Sequence, residues 1–385
     1  MGSGPLSMAE EFMTDFAYQT GILGSGRPKR YLWTDAFAVC NFLELYRKRG
    51  DERYRQLALK TVDQVHLILG RHREDDSRRG WLSGLSDEEG LRHPTIGGLR
   101  IGKRLPERRP GEPLDDVLEW ERDGQYYHYL TRWMHALNRV SEELGDLRYN
   151  LWAIELAKRI HEAFVYRAPD GRRLIHWKMS IDLSRLLVAS MGQHDPLDGF
   201  VVYNEIQASA PEEEGWPDLT REIRELEEIC GEMDWTTDDP LGIGGLLWNA
   251  YLLAKLISSG RIDRLDLLLE VLSASLIGLA SYSESGALRL PASRRLAFRE
   301  IGLTIGIKAA ERLQRLASTD PRLSRDKELS SMVKGLTHYF KLADEIERFW
   351  LKPINRENEL WREHREINMV MLATSLAPDG FLGED

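Results

Sequence analysis

Five short segments combine aromatic side chains with charged ones, and they are the parts of the chain best suited to chemistry. They are 31–35, 120–128, 176–178, 234–240 and 360–364, and four of the five place a Trp near an Asp or Glu. An aromatic face packs against the C–H face of a sugar ring, while paired carboxylates supply the acid and the base or nucleophile for glycosidic cleavage. The combination therefore indicates carbohydrate binding and cleavage. The alternative is that each Trp anchors the core and each Asp caps a helix.

A second polar cluster reads SMGQHDPLDG and ends at Gly199. Asp195 or Asp198 would act there as acid or base, and the polar side chains before them would hydrogen-bond substrate hydroxyls. A turn that needs Asp-Pro and Asp-Gly for geometry alone is the alternative. The sequence predicts that this cluster ends an inner helix whereas Asp35 begins one. The two then lie at opposite ends of the ring, unless the long connection to Pro211 folds back over the mouth.

Two sets of candidate site residues follow from these segments. The candidate catalytic carboxylates are Asp35, Asp123, Asp195 and Asp198. The candidate substrate-binding residues are Trp33, Tyr126, Tyr127, His128, Trp177, Gln193, His194, Trp235, Trp361 and His364. Two of these four would act as a pair, one as acid and the other as base or nucleophile. No cofactor and no metal ion is expected, because Pro196 breaks the helical spacing between His194 and Asp198.

The elements that must position these residues alternate between two kinds of helix. Helices that are apolar on nearly every face are predicted to begin near 33, 126, 177, 241, 295 and 361. Amphipathic helices are predicted over 51–70, 149–165, 219–230, 265–279 and 327–349, and the N-terminal run 10–18 would supply a sixth. The pattern predicts an all-α, (α/α)6 toroid in which inner helices are covered by outer ones. An irregular helical bundle or an open array of helical hairpins is the alternative.

The predicted toroid is a single domain, 8–385, with long loops over one end and few strands. Residues 1–7 (MGSGPLS) read like an expression-vector remnant. Phe200–Tyr203 (FVVY) is the one compact β-like run, and Ala287–Leu290 is a candidate for a short ribbon. The glycines of 242–245 lack the third glycine of a dinucleotide fingerprint, so they predict close helix packing instead.

A family resemblance is visible around the first inner helix. The stretch Trp33-Thr34-Asp35-Ala36-Phe37 leads to Tyr46, Gly50-Asp51, Tyr54 and Ala58. It resembles the W-x-D-x-hydrophobic helix and the "Y…GD..Y…A" turn of six-hairpin glycosidases, including unsaturated glucuronyl hydrolases. The resemblance implies an (α/α)6 toroid that hydrolyses a glycosidic bond, with Asp35 as catalytic carboxylate. At motif level it covers about 25 residues.

Three interpretations of function follow. The leading one is a glycoside hydrolase that acts on a small saccharide. The run 92–113 is rich in Arg and would bind an anionic group on that saccharide. The same run could equally be a solvated surface or an oligomer contact. The second interpretation is a sugar epimerase resembling N-acylglucosamine 2-epimerase, in which two histidines exchange the proton; His128, His176, His194 and His364 are available. The third is a non-catalytic helical binding protein.

The composition excludes several other classes of protein. The 385 residues carry a formal charge of −10, which argues against a protein whose whole surface binds nucleic acid. Cys40 and Cys230 stand far apart, so we expect buried thiols rather than a zinc site or a disulfide. The longest stretch without a charged residue, 240–254, is too short for a membrane span. We expect a cytoplasmic protein with a saccharide substrate and no nucleic-acid or membrane partner; the oligomeric state stays open.

Overall fold

The computed structural model describes residues 4–384, which fall into two compact units, one of Ala17–Glu232 and one that joins the N-terminal residues up to Phe16 with those from Met233 onward. Each unit is described by itself, and the single domain 8–385 stays a prediction. Of the expected remnant 1–7, residues 1–3 lie outside the described residues, and Pro5 begins the first helix.

The helices dominate both units. In chain order they are α1 (Pro5–Gln19), α2 (Leu32–Arg49), α3 (Glu52–Leu69), α4 (Asp87–Arg92), α5 (Asp116–Glu121), α6 (Tyr127–Leu144), α7 (Leu147–Phe164), α8 (Asp195–Ala208), α9 (Thr220–Cys230), α10 (Pro240–Ser258), α11 (Leu265–Glu284), α12 (Ala297–Thr319), α13 (Lys327–Leu336), α14 (Phe340–Leu351), α15 (Glu359–Glu363), α16 (Arg365–Leu376) and α17 (Asp379–Leu382). The all-α class is therefore confirmed, and so are nearly all of the predicted helices.

The unit Ala17–Glu232 contains three helical hairpins. In each, a helix that is buried along most of its length packs against an amphipathic one: α2 with α3, α6 with α7, and α8 with α9. The buried helices also pack side by side, α2 on α6 and α6 on α8. Gly50, in the left-handed conformation at φ 66°, ends α2, and Asp51 caps α3 by accepting the N–H of Arg53.

Short strands replace one predicted helix. They are β1 (Gln125–Tyr126), β2 (Val165–Arg167), β3 (Arg173–Ile175), β4 (Lys178–Met179) and β5 (Leu186–Val188). β4 pairs antiparallel with both β1 and β5, and β2 pairs with β3. The predicted inner helix over 177–190 is therefore wrong. A turn joins β4 to β5 there, and in it Leu183 takes a left-handed φ of 61° that a helix does not allow.

The true third buried helix of this unit is α8, and it contains the run Phe200–Tyr203 that was predicted to be β-like. This run is buried on every side, and burial among neighbouring helices outweighs the preference of its two valines for strands. The stretch Ala287–Leu290 is likewise no ribbon, because 287–289 forms one turn of 3₁₀ helix. The predicted helix 327–349 is divided into α13 and α14.

The second unit is built around α10, α12 and α16, and α12 packs against both of the others. α10 and α12 approach closely because Gly244 faces Gly302: a Cβ on Gly244 would overlap the carbonyl oxygen of Gly302. The prediction of close helix packing is confirmed for Gly244. An ion pair of 2.8 Å between Asp15 and Arg365 attaches α1 to α16.

Two helices of this unit, Pro240–Ser258 and Leu265–Arg289, are long and apolar enough to cross a membrane by length and composition alone. The apolar window of the first is 78% buried in the structure, as in the core helix of a soluble protein. Cys40 and Cys230 are both buried and free, as expected.

Candidate functional site

Asp195 and Asp198 lie in the first turn of α8, not behind a helix as predicted. Pro196 is in that first turn, where a missing N–H costs nothing, so it begins the helix instead of ending one. The backbone N–H of Asp195 donates to the carbonyl of Gly192 at 3.2 Å. A Cβ on Gly192 would come within 2.5 Å of the Asp195 carboxyl group, so only glycine leaves room for that carboxyl group.

The carboxyl group of Asp195 faces His128, in the first turn of α6. Their closest atoms, His128 Nδ1 and Asp195 Oδ1, are 3.7 Å apart. Within residues 4–384, neither His128 Nδ1 nor Asp195 Oδ2 has a hydrogen-bond partner, although both atoms are buried. Buried polar atoms are nearly always paired, so this pair of unsatisfied atoms is typical of a site that binds a ligand.

Burial sets the protonation of these two groups. Loss of solvation, and then the negative charge of Asp198, raise the pKa of Asp195 to about 8, although Arg132 opposes the shift. Loss of solvation also lowers the pKa of His128 to about 4. At neutral pH the site therefore holds a protonated carboxyl group beside a neutral imidazole. The other carboxylate, Asp198, is ion-paired with Arg132 of α6, and both side chains are buried.

Aromatic rings pack around His128 and extend from it in a chain of ring contacts. We call this set of rings, His128 included, the aromatic row: Trp33, Tyr126, His128, Tyr129, Trp177 and Trp120. Trp177 is stacked on the His128 ring with centroids 6.3 Å apart and planes at 15°, and Tyr126 is stacked at 5.5 Å and 30°. Tyr129 meets the ring edge-on at 4.8 Å, and Trp33 does so at 6.1 Å. Three of the predicted sugar-binding aromatic residues are thus brought together around one histidine.

Asp35 lies at the start of α2, where it is fully buried. Its Oδ2 atom accepts the backbone N–H of Tyr31 at 2.9 Å, and its Oδ1 atom is 3.2 Å from Arg30 Nη1. Loss of solvation raises its pKa to about 6, although the Arg30 charge works against that shift. The carboxylate therefore fixes the turn that leads into α2, and with it the place of Trp33 two residues earlier.

Asp123 is also fully buried, and its two oxygens accept hydrogen bonds from several sides. Arg100 donates to Oδ2 at 2.6 Å and Arg73 at 3.2 Å, while the backbone N–H groups of Gly102 and Gly124 donate to Oδ1. This set of donors ties the long connection after α3 to the start of β1. It leaves little capacity for proton transfer, which requires an oxygen that substrate or water can reach.

The remaining candidates of this unit have different environments. Tyr127 is fully buried, and its hydroxyl lies so close to Gly199 that a Cβ there would overlap it. His194 is the residue just before α8, half-buried, and Gln193 beside it is exposed. His176, an alternative proton carrier, is stacked on Tyr166 at 3.9 Å and makes no described ring contact with the aromatic row.

Three candidates belong to the other unit. Trp235 is buried ahead of α10. Trp361, in α15, is buried and stacked on Trp350 at 5.6 Å, and His364 meets Phe298 edge-on at 5.4 Å. Trp361 thus packs as a core anchor does, which is the alternative that the sequence left open.

Sequence reasoning missed Arg132, Tyr129 and Trp120. Arg132 is four residues after His128, so helical spacing on α6 places both on one face toward α8. Trp120 lies in one of the five segments, but nothing in the sequence indicates that its side chain is exposed. Arginines of the basic run 92–113 form ion pairs within the unit, since Arg100 binds Asp123 and Arg108 binds Glu119.

No family model matches the chain, and no curated protein matches it. Several solved structures are similar to it in fold. An inactive variant of the alpha-1,6-mannanase GH76A of Salegentibacter sp. HEL1_6, in complex with alpha-1,6-mannotetrose, is 12% identical, with 98% of this chain and 99% of that one covered and a TM-score of 0.53. A family 76 glycoside hydrolase from a bovine Bacteroides thetaiotaomicron strain is also 12% identical, with 99% of this chain and 78% of that one covered and a TM-score of 0.53.

These similarities show the fold. The chain has an (α/α)6 toroid fold, as the sequence predicted. A cellobiose 2-epimerase from Bacillus thermoamylovorans B4167 is also similar, with 13% identity, 87% of each chain covered and a TM-score of 0.45.

Proposed function

We propose that this protein is a glycoside hydrolase in which Asp195 is the general acid. The observation that carries the proposal is the environment of Asp195: a buried carboxyl group, protonated at neutral pH, with one oxygen unpaired and with the aromatic row beside it. A carboxyl group that holds its proton at neutral pH is what the departing oxygen of a glycosidic bond requires. The fold, which is that of family 76 glycoside hydrolases, supports the proposal.

The proposed reaction uses the two facing groups in sequence. Asp195 gives its proton to the glycosidic oxygen while the bond from that oxygen to the anomeric carbon breaks. Because His128 lies beside Asp195, the attacking water enters on the face that the departing oxygen has left: it adds hydroxide to the anomeric carbon and gives its other proton to the neutral ring of His128. The resulting imidazolium lies beside the Asp195 carboxylate, 3.7 Å away, so a proton transfer between them restores the starting state.

The other charged groups position this pair. Arg132 holds Asp198 in an ion pair, and the negative charge of Asp198 helps to keep Asp195 protonated. The rings of Tyr126 and Trp177 flank His128; Tyr126 is buried and supports the imidazole, while the half-buried Trp177 offers its apolar surface to a pyranose. In this proposal Asp35 and Asp123 hold the local backbone, and neither exchanges a proton with substrate.

The test compares the wild type with Asp195→Asn on a panel of aryl glycosides and linear oligosaccharides. We expect the variant to lose about 10²–10⁴-fold in kcat/KM on oligosaccharides. It should lose much less on 2,4-dinitrophenyl glycosides, whose leaving group needs no proton. Asp218→Asn is the matched control, since this exposed Asp lies outside the aromatic row. Full oligosaccharide hydrolysis by Asp195→Asn, or no hydrolysis of any substrate by the wild type, contradicts the proposal.

One observation favours a second candidate function, epimerisation of a reducing sugar. The neutral His128 is a base that can remove the proton on the carbon next to the carbonyl, and protonated Asp195 is an acid that can support the enol. Incubation of reducing disaccharides in D₂O distinguishes the two. Deuterium incorporated at that carbon without cleavage favours the epimerase, and cleavage without deuterium there favours the hydrolase.

A further inference from the structure

The aromatic row does not end at the site but continues to the surface of the unit. Trp177, stacked on His128, meets Trp120 of α5 edge-on, with ring centroids 4.9 Å apart and planes at 78°. Tyr126 is 5.3 Å from Trp177 and 6.4 Å from Trp120. A continuous path of rings therefore runs from the Asp195–His128 pair to solvent.

Trp120 is 51% exposed, which is unusual for the side chain with the largest apolar surface. Its position is nevertheless fixed. The buried Lys178 donates to the Glu119 carbonyl at 2.7 Å, to the Glu119 carboxylate at 2.9 Å and to the Arg122 carbonyl at 2.9 Å. Asp115 caps the same helix by accepting the N–H of Leu118 at 3.0 Å. The six-residue helix α5 is thus anchored so that it presents one aromatic ring to solvent.

Polar groups accompany this end of the row. Lys103 Nζ lies over the Tyr31 ring, 5.4 Å from its centroid, and makes no ion pair within residues 4–384. Burial lowers the pKa of Lys103, and the negative charge of the exposed Glu121 works against that shift. Burial, and to a lesser degree the charge of Glu121, raise the pKa values of Tyr31 and Tyr126. Flat rings beside an ammonium and a carboxylate match a sugar, which has an apolar C–H face and hydroxyl groups around its edge.

We propose that Trp120, together with Trp177, forms a second sugar-binding subsite, and that the substrate is an oligosaccharide of at least two pyranose rings. This inference rests on the proposed function. One ring of the substrate is bound near Asp195 and His128, and the next lies against Trp120, with Lys103 and Glu121 available to its hydroxyls. The length of the saccharide, not only its reacting bond, then determines affinity.

A different occupant is possible for an exposed apolar surface, namely a second copy of this chain. Val117 and Leu114 of the same segment are 82% and 52% exposed, so they would be buried with Trp120 in such a contact. The saccharide is favoured because Trp120 is continuous with the ring path to His128, whereas Val117 has no part in that path. Val117→Ser therefore separates the two possibilities.

The experiment measures binding in the Asp195→Asn background, so that substrate is not consumed. Fluorescently labelled protein is titrated against an array of linear tetrasaccharides and their monosaccharides. We expect the added Trp120→Ala change to weaken tetrasaccharide binding by about three- to tenfold and to leave monosaccharide binding within about twofold. The added Val117→Ser change should alter neither. Light scattering on the same variants reports the oligomeric state.

Each result has a definite meaning. Equal tetrasaccharide affinity with and without Trp120→Ala overturns the subsite, while the proposed function stands if the wild type hydrolyses these saccharides. No binding to any tetrasaccharide overturns both. A dimer that both Trp120→Ala and Val117→Ser convert to a monomer, with sugar binding unchanged, assigns the surface to self-association instead.

Discussion

The Nδ1 atom of His128 and the Oδ1 atom of Asp195 face each other at 3.7 Å across the packed helices α6 and α8. Both residues occupy the first turn of their helix, so two separate hairpins present them at one place. Burial has opposite effects on the two groups: it raises the pKa of the carboxyl group and lowers that of the imidazole. The pair is consequently neutral in the resting protein, and in the proposed reaction it becomes an ion pair once Asp195 has given its proton to the leaving oxygen and His128 has taken one from water.

Activity should fall on the alkaline side of neutrality. Because the general acid must be protonated, kcat/KM on an oligosaccharide is expected to decline as the pH rises through about 8, the pKa of Asp195. The measurement is a pH profile of kcat/KM from pH 5 to 10. With a 2,4-dinitrophenyl glycoside the alkaline decline should vanish, since that leaving group departs without a proton. An unchanged decline with this substrate would exclude Asp195 as the group that titrates.

Asp195→Asn should leave the protein at least as stable as the wild type at pH 8. The folded carboxyl group keeps a proton that the unfolded chain loses above about pH 4, so stability falls as the pH rises from about 4 toward 8. The neutral amide has no such dependence. Urea unfolding at pH 5 and pH 8 should show that the stability of the variant relative to the wild type grows with pH.

Asp123→Asn is the contrasting substitution, because it removes a buried charge that Arg100 and Arg73 require. We expect a loss of about 3–5 kcal/mol in the free energy of unfolding, since two guanidinium groups lose their common partner. The same urea titrations measure it. If Asp123→Asn were as stable as Asp195→Asn, the structural role assigned to Asp123 would be wrong.

The sequence predicted the helical fold well because burial along a helix leaves a regular pattern. Its one large error has a specific cause. Asp195-Pro196 fits both a turn that ends a helix and the first turn of a new one, and the four residues Phe200–Tyr203 resemble a strand as strongly as a buried helix. The wrong choice moved the third buried helix about 18 residues toward the N-terminus, and it separated Asp195 from the end of the fold where His128 lies.

The site was harder to predict than the fold, since its chemistry depends on contacts between hairpins. Of the predicted site residues, Trp33, Tyr126, His128 and Trp177 lie together, and their part in binding a sugar stays a prediction. Nothing in the local sequence shows that Asp123 accepts hydrogen bonds from Arg73 and Arg100, which lie 50 and 23 residues earlier in the chain. Those partners become visible only when the long connection folds back on β1.

His66 should make the protein sensitive to acid. It is buried, its Nε2 atom accepts the Trp133 Nε1–H at 3.1 Å, and loss of solvation lowers its pKa to about 3. Below about pH 6.5 His66 therefore binds a proton in the unfolded chain but stays neutral in the folded protein. The free energy of unfolding consequently decreases as the pH falls from 6.5 toward 3. This one group contributes at most about 1.4 kcal/mol per pH unit.

The measurement is urea unfolding at pH 7 and pH 4.5 for the wild type and His66→Gln, whose amide oxygen can still accept from Trp133. We expect a smaller loss of stability on acidification in the variant. His338→Gln is the control, because that histidine is exposed on the other unit. An equal loss in all three proteins would show that His66 is not responsible.

Gly244 and Gly245 are adjacent in α10 but should respond oppositely to Ala. A Cβ on Gly244 would overlap the backbone of Gly302, which forces α10 and α12 apart, so we expect Gly244→Ala to cost about 1–3 kcal/mol. A Cβ on Gly245 meets nothing closer than the Trp248 ring at 3.6 Å. There Ala removes the entropic penalty of a helical glycine and should stabilise the protein by about 0.5–1 kcal/mol. Thermal unfolding of the two variants should therefore shift the midpoint in opposite directions, and a similar gain in both would mean that helix propensity and not close packing governs the effect at Gly244.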